Sequence, residues 1–262
     1  MIDIAITGAA GRMGQRLVTL SRADGGFRIV AATERAGHPS LGKDAGEVAG
    51  IGAIGVPLMT DITGAPKLVI DFTTPEASRH WLAVCRQRKL ALLLGTTGLS
   101  PQDHVLIDEA AKEIPILQSP TMALGVAVLF RIAGEVAKLL GDDYDIEIVE
   151  AHHRFKKDAP SGTALGLADA ILKATGKTRD ALVYDRHGGD CTRQRDEITM
   201  HALRMGDEVG RHTAYFGAPG EKIELTHAAS TRDTFVYGAL RAAKFLAQQG
   251  PGRYNLSNVL GL

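Results

Sequence analysis

Over roughly the first 120 residues, short apolar runs rich in β-branched side chains alternate with segments whose apolar positions recur at helical spacing. Near-continuous apolar strands separated by helices specify a parallel sheet covered on both faces. The strands are expected at Ile2 to Thr7, Phe27 to Thr33, Leu68 to Thr73, Ala91 to Thr96 and Ile114 to Ser119. Helices are expected after Gly11, Pro75 and Pro101, with Thr74 and Ser100 as N-caps ahead of a proline at the first helical position. The interval from Ala36 to Met59 is rich in Gly and small residues and reads as an extended loop with one short strand at most.

Beyond Leu124 the pattern changes. A long helical segment ends near Gly141, and DYDIEIVEAHH then alternates apolar and polar positions, as a strand with one solvated face does. Strand-like runs follow at Glu197 to Arg204, Arg211 to Ala218 and Lys222 to Ala229, separated by Gly-containing turns. A second sheet, mainly antiparallel or mixed, is therefore expected. A final helix runs from about Thr234 to Gln248. The fold class is α/β: a Rossmann-like doubly wound sheet plus a second α+β domain. Residues 1–122, completed by 233–262, are expected to form a dinucleotide-binding domain, and 123–232 a substrate-binding and oligomerisation domain.

Composition narrows the partners. The chain has 262 residues, with 30 basic and 30 acidic side chains, so no global field recruits nucleic acid or an anionic membrane. The N-terminus reads without a basic leader, and no apolar run approaches the ~20 residues of a membrane span, which points to a cytoplasmic protein. Cys85 and Cys191 lack metal-ligand spacing and read as reduced thiols.

Two stretches carry candidate chemistry. TGAAGRMG, with Gly8, Gly11 and Gly14, sits where a strand turns into a helix. Glycine there permits a tight turn and close approach of a pyrophosphate, and the helix N-terminus offers N–H groups to the phosphates. Glu34 closes the second strand, where an acid accepts hydrogen bonds from an adenosine ribose, and Arg35 beside it suits a 2′-phosphate. NADH and NADPH are both open as cofactors. GTTG, Gly95 to Gly98, ends the fourth strand on the same sheet edge; it is either part of a ligand crevice or a plain turn.

The second stretch is EAHHRFKKDAPSGTA, Glu150 to Ala164. Adjacent histidines on an extended segment point to opposite faces, so His152 and His153 cannot chelate one ion together, and no metal is expected. Histidine moves protons near neutral pH, and Arg154, Lys156 and Lys157 favour anions. Ser161, Gly162 and Thr163 open a helix, a second anion seat. A carboxylate substrate fits this segment; a solvated basic loop followed by a helix cap is the alternative.

The combination of GxxGRMG, the Glu34-Arg35 pair, DFTxPE, GTTG and ExHHxxKxDxPSGTA closely resembles the dihydrodipicolinate reductase family, along the whole chain through GEKIELTHAASTRDTF and the NVLGL ending. The resemblance implies NAD(P)H-dependent reduction of the cyclic dicarboxylate 4-hydroxy-tetrahydrodipicolinate, in the route to diaminopimelate and lysine, by a homotetramer built through the second sheet. It implies that His152 donates a proton and Lys156 assists it, and that His153, Gly162 and Thr163 bind substrate. It assigns cofactor contacts to Gly8, Ala9, Ala10, Gly11, Arg12, Met13, Glu34, Arg35, Gly95, Thr96 and Thr97. Ser119, Pro120, Thr121 and Met122 stand where the family has a motif like AxNFSxG. The Asn, Phe and Ser of that motif are lost here, which leaves backbone contacts. The rival readings are a catalytically silent nucleotide sensor and another two-domain reductase of amino-acid metabolism. Rotation near Ser119 to Ala123 and Ala229 to Asp233 is expected to close the domains on substrate.

Overall fold

The computed structural model describes residues 1–184 and 186–262. The chain divides into two compact units, Met1–Ala123 with Phe235–Leu262, and Leu124–Thr234.

The first unit is built on strands β1 (Ile2–Thr7), β2 (Phe27–Thr33), β3 (Leu58–Met59), β4 (Leu68–Asp71), β5 (Ala91–Leu94) and β6 (Pro115–Gln118). Helices α1 (Arg12–Asp24), α2 (Ala45–Val48), α3 (Pro75–Arg88) and α4 (Pro101–Ala111) lie between them. The order across the sheet is β12-β6-β5-β4-β1-β2-β3, with β12 (Gly252–Tyr254) supplied by the C-terminal tail, and every pairing is parallel. All four residues of β4 and of β5 are buried, which is why these strands read as unbroken apolar runs. From β1 the chain steps outward to β2 and β3, then returns to β4 on the other side of β1. That reversal makes the β1–β4 boundary the switch point at which doubly wound sheets open a crevice.

Thr74 and Ser100 cap α3 and α4, each ahead of a proline, and Ser100 forms a reciprocal capping box with Asp103. The segment read as an extended loop is compact instead. The Asp44 carboxylate accepts hydrogen bonds from the amides of Gly46, Glu47, Ile54, Gly55 and Val56, folding the chain around one side chain. The tail strand β12 and the short helix α8 (Leu256–Leu260) carry no apolar alternation long enough to predict. Helix α7 (Asp233–Leu246) packs seven buried residues into this unit's side of the chain, from Val236 to Leu246.

The second unit contains α5 (Leu124–Leu140), β7 (Asp145–His152), α6 (Gly162–Thr175), β8 (Leu182–Tyr184), β9 (Ile198–Arg204), β10 (Arg211–Ala218) and β11 (Glu221–Ala228). Its sheet is mixed, in the order β11-β10-β7-β9-β8. β10 and β11 form an antiparallel hairpin across Pro219-Gly220, where Gly220 adopts φ +90° and only glycine is unstrained. β9 runs parallel to β7 because α6 intervenes and carries the chain back to the same end of the sheet. One face packs Ile146, Ile148, Ile198, Met200 and Phe216 against Leu167 and Ile171 of α6 and Leu129 and Ala133 of α5. Burying each of these Ile, Leu, Met and Phe side chains stabilises the unit by about 1.5–3 kcal/mol.

Candidate active site

In the first unit the turn after β1 is tight. Gly8 has φ +61°, its carbonyl accepts from the Gly11 amide at 2.9 Å, and Ala9 N–H bonds Thr33 O at 3.0 Å. A Cβ on Gly14 would lie 2.1 Å from Gly8 O and 2.6 Å from Ala9 Cα, so the helix seats on the turn only because residue 14 has no side chain. The N-cap of α1 is Gly11, which offers no side-chain hydrogen bond to the first-turn amides, Arg12 and Met13 among them. These donors remain suited to phosphate oxygens. Glu34 reaches the same turn: Oε1 accepts from Ala10 N–H at 3.0 Å and Oε2 from Arg35 N–H at 3.2 Å. The Arg35 side chain is exposed.

At the ends of β4 and β5 a fully buried carboxylate gathers the hydroxyls of neighbouring segments. Asp71 accepts from Thr7 Oγ1 (2.7 Å), Thr73 Oγ1 (2.6 Å) and Ser78 Oγ (2.5 Å). Thr96 Oγ1 in turn lies 2.8 Å from Ser78 Oγ and accepts from Thr73 N–H at 3.1 Å. The switch-point strand ends are thus tied to one another, and Thr96 is a buried strut while Thr97 and Gly98 are exposed beside it. A Cβ on Gly95 would come within 2.4 Å of the Phe72 ring, which would have to shift to admit it. In the segment after β6, Ser119 spends its hydroxyl on Thr121 O at 2.5 Å and its amide on Leu94 O at 3.4 Å. Met122 is buried and Pro120 exposed. The open helix N-terminus and the acid beside it fit a dinucleotide, and the residues that would hold it are the Gly8–Met13 turn, Glu34, Arg35 and the Gly95–Thr97 loop.

In the second unit strand register does the assembly. On the apolar face of β7, Ile146 and Ile148 give way to Glu150 and His152. β10 places His212 opposite Glu150, and β9 places Arg204 opposite His152. Glu150 is 1% exposed. Its carboxylate accepts from Arg204 Nη1 and Nη2 (2.9 and 2.8 Å) and from the Ser161 amide (3.0 Å). His152 Nδ1 lies 2.5 Å from Oε2. Burial pushes the Glu150 carboxyl up, but the hydrogen bonds and charges of His152 and Arg204 outweigh it and hold the group down at about 2.

His212 is buried, its Nε2 2.9 Å from Ser161 Oγ, and its ring meets that of His152 edge to face at 5.1 Å. Burial first, and then the cationic surroundings of His152, His227 and Lys156, push His212 down to about 4, so it is neutral at neutral pH. Ser161 caps α6 by accepting from Ala164 N–H at 3.1 Å, and Gly162 and Thr163 form that helix's first turn. Lys156 Nζ pairs with Asp158 Oδ1 at 2.8 Å. His153 lies just past the end of β7, its ring 6.4 Å from that of Phe155 and its buried Nδ1 without a protein partner. The two adjacent histidines therefore have different surroundings. Among the described residues no group of three or more His, Cys, Asp or Glu side chains is arranged to hold a metal ion.

The partnerships of four residues central to these clusters escape sequence reasoning. Asp71 and Glu150 lie inside recognised motifs but show no sign of their partners. Arg204 and His212 are more than 50 residues from Glu150, and only the strand register brings them near it. A signal exists all the same. His212 ends the buried alternation Phe216-Ala214-His212, where a polar side chain is unusual, and Arg204 shares the parity of buried Ile198 and Met200, although Ala202 between them is exposed.

Residues 2–122 match the family described as "Dihydrodipicolinate reductase, N-terminus", and residues 125–260 its "C-terminus" counterpart. The chain is 46% identical over its whole length to 4-hydroxy-tetrahydrodipicolinate reductase of Geotalea uraniireducens (strain Rf4), and equally to that of Geobacter sulfurreducens (strain ATCC 51573 / DSM 12127 / PCA); each relative is covered completely. A solved structure, dipicolinate-bound dihydrodipicolinate reductase from Paenisporosarcina sp. TG-14, shares the fold with a TM-score of 0.77 at 24% identity, over 98% of this chain and 99% of that one. With both halves matched by the family and the relatives aligned end to end, the chain belongs to the dihydrodipicolinate reductase family.

Proposed function

We propose that this chain reduces 4-hydroxy-tetrahydrodipicolinate to tetrahydrodipicolinate with NADH or NADPH, in diaminopimelate and lysine biosynthesis, and that His152 is its proton donor. The observation that carries the residue assignment is the hydrogen bond between His152 and the buried Glu150. It orients one ring nitrogen inward and leaves the other for a ligand. Loss of the 4-hydroxyl as water leaves a ring carbon conjugated with the C=N bond, and the nicotinamide cofactor, when bound, would supply the hydride to that carbon. The Gly8–Met13 turn holds phosphate, Glu34 the ribose hydroxyls and Arg35 a 2′-phosphate. Gly162, Thr163 and His153 bind the substrate carboxylates, Lys156 adds positive charge, and His152 donates a proton.

Membership of this family also supports a cytoplasmic homotetramer joined through the second sheet, which a light-scattering mass four times that of the chain would support. Among the described residues, no helix is long and apolar enough to cross a membrane. The rival of a semialdehyde dehydrogenase needs an activated cysteine, whereas burial pushes the Cys85 thiol up to about 12. His152→Gln and Lys156→Ala should each lower kcat by ~10²-fold or more with cofactor affinity nearly intact. A coupled assay that generates the unstable substrate in place reads this. Turnover near wild type in either variant removes that residue from the mechanism.

A further inference from the structure

Glu150 is the most completely buried acid of the second unit's polar cluster, and it makes no contact that requires a ligand. Two of its hydrogen bonds come from the Arg204 fork, one from the Ser161 amide and one from His152. A carboxylate ionised in this way only accepts, so His152 must present Nδ1–H to it. That leaves Nε2 as the nitrogen available for chemistry. Position 210 keeps Nε2 clear: a Cβ on Gly210 would stand 3.1 Å from it. Opposite, the buried His212 ring stands edge to face with that of His152 at 5.1 Å and is neutral at neutral pH, so it brings no second positive charge to the site. The charged groups around His152 are Glu150 and Arg204 on the sheet and Lys156 and Asp158 on the loop that follows β7.

We propose that Glu150, anchored by Arg204 and the Ser161 amide, is the positioning residue for His152, fixing its tautomer and ring orientation so that Nε2 delivers the proton. This rests on the proton-donor role of His152 given above. The logic is that of a metal- or base-bearing histidine whose second nitrogen is held by an acid. Arg204 gives the arrangement a sharp sensitivity. If Glu150 loses its charge, the guanidinium remains beside the imidazole and disfavours the imidazolium that donates the proton. Ser161 extends the coupling, because the same residue caps the helix whose first turn is the proposed carboxylate seat.

The test is Glu150→Gln in the full chain, with Glu150→Asp as the charge-retaining companion. Two-bond ¹⁵N–¹H spectra of labelled histidine should show His152 as the Nδ1–H tautomer in the wild type, and a mixed or Nε2–H population in Glu150→Gln. In the same variant kcat/KM should fall ~10- to 100-fold, and the alkaline limb of its pH profile should move to lower pH by about one unit. Cofactor dissociation constants should not change, and Glu150→Asp should restore the limb. An unchanged tautomer and limb in Glu150→Gln, with only a lower melting temperature, would reduce Glu150 to a structural part and overturn the proposal. A changed tautomer in an enzyme that also tolerates His152→Gln would leave the positioning in place and remove the proton-donor role on which it was built.

Discussion

Each unit places a helix N-terminus at the end of a central strand, and each buries a carboxylate nearby, yet the two are satisfied in opposite ways. Asp71 is surrounded by neutral donors, the hydroxyls of Thr7, Thr73 and Ser78. Glu150 is met by the Arg204 guanidinium and by His152. Hydroxyl donors tie strand ends together with no net pairing of charge. A guanidinium and an imidazole make an ionic cluster whose state depends on pH. The helix caps differ in the same sense. Gly11 leaves the first turn of α1 without a side-chain cap, whereas Ser161 closes that of α6 and joins its cap to the acid and to His212. The first unit is thus a rigid cradle for a ligand that brings its own chemistry, and the second carries the titrating groups.

The cradle is the easier of the two to destroy. Gly14→Ala puts a methyl group 2.1 Å from Gly8 O, an atom of backbone that cannot swing aside. The expected cost is at least about 3 kcal/mol, the upper range for overpacking, together with loss of NADH binding. Trp81, the chain's single tryptophan, is buried in α3 and reports unfolding of this unit by fluorescence. A melting temperature within a degree or two of wild type would show that the turn relaxes around the methyl.

Acid separates the units next. His212 is held down at about 4, against an ordinary value near 6.5, chiefly by burial. The unfolded chain binds this proton more readily, so the stability tied to the neutral ring is complete above pH 6.5 and is lost as pH falls towards 4. His227, also depressed by burial, adds to the same window, and Glu150 extends the loss from about 4.5 down to about 2. Between pH 6.5 and 4.5, amide protection in β7 and β10 should therefore fall while Trp81 fluorescence holds. The depression of His212 corresponds to about 2 kcal/mol, allowing for incomplete burial. His212→Gln, which keeps a group for Ser161 to bond, should flatten much of that decline. Parallel loss in both units would assign acid sensitivity elsewhere.

The same contrast explains what was legible beforehand. The strands of the first unit announce themselves because burial on both faces leaves only apolar residues, and the caps of α3 and α4 follow from Thr-Pro and Ser-Pro pairs. The chemistry-bearing segments stand out because their residue types are unusual in sequence. What stays hidden is whatever is made by register. Neither Arg204 nor His212 signals Glu150, since their proximity depends on β9 being parallel and β10 antiparallel to β7. The Asp44-centred fold of residues 44–56 is hidden for a related reason: its bonds run to backbone amides, which every residue type offers.

Cofactor choice tests how exposed the cradle's rim is. Arg35 is solvent-exposed while Glu34 is tied to the turn, so the arginine acts on a 2′-phosphate in a screened environment. Arg35→Ala should weaken NADPH by about tenfold, some 1.4 kcal/mol, and leave NADH nearly unchanged. The difference should shrink as ionic strength rises. An equal loss for both cofactors would make Arg35 a structural residue.

The smallest effect on stability is expected at a first-turn glycine of the second unit, in contrast to Gly14 in the first turn of α1. Gly162 opens α6, and a Cβ built there meets nothing within 4 Å; its backbone is not left-handed either. Alanine at this position suffers no clash and loses less backbone entropy on folding, so Gly162→Ala should leave stability unchanged or raise it by less than about 1 kcal/mol. The empty space is then the informative quantity. If the first turn of α6 seats a substrate carboxylate, the methyl group enters the volume that the ligand needs, and KM should rise while the melting curve and NADH affinity stay at wild type. A variant with unaltered KM as well as unaltered stability would show that the space beside Gly162 is plain solvent and would move the carboxylate seat off this helix.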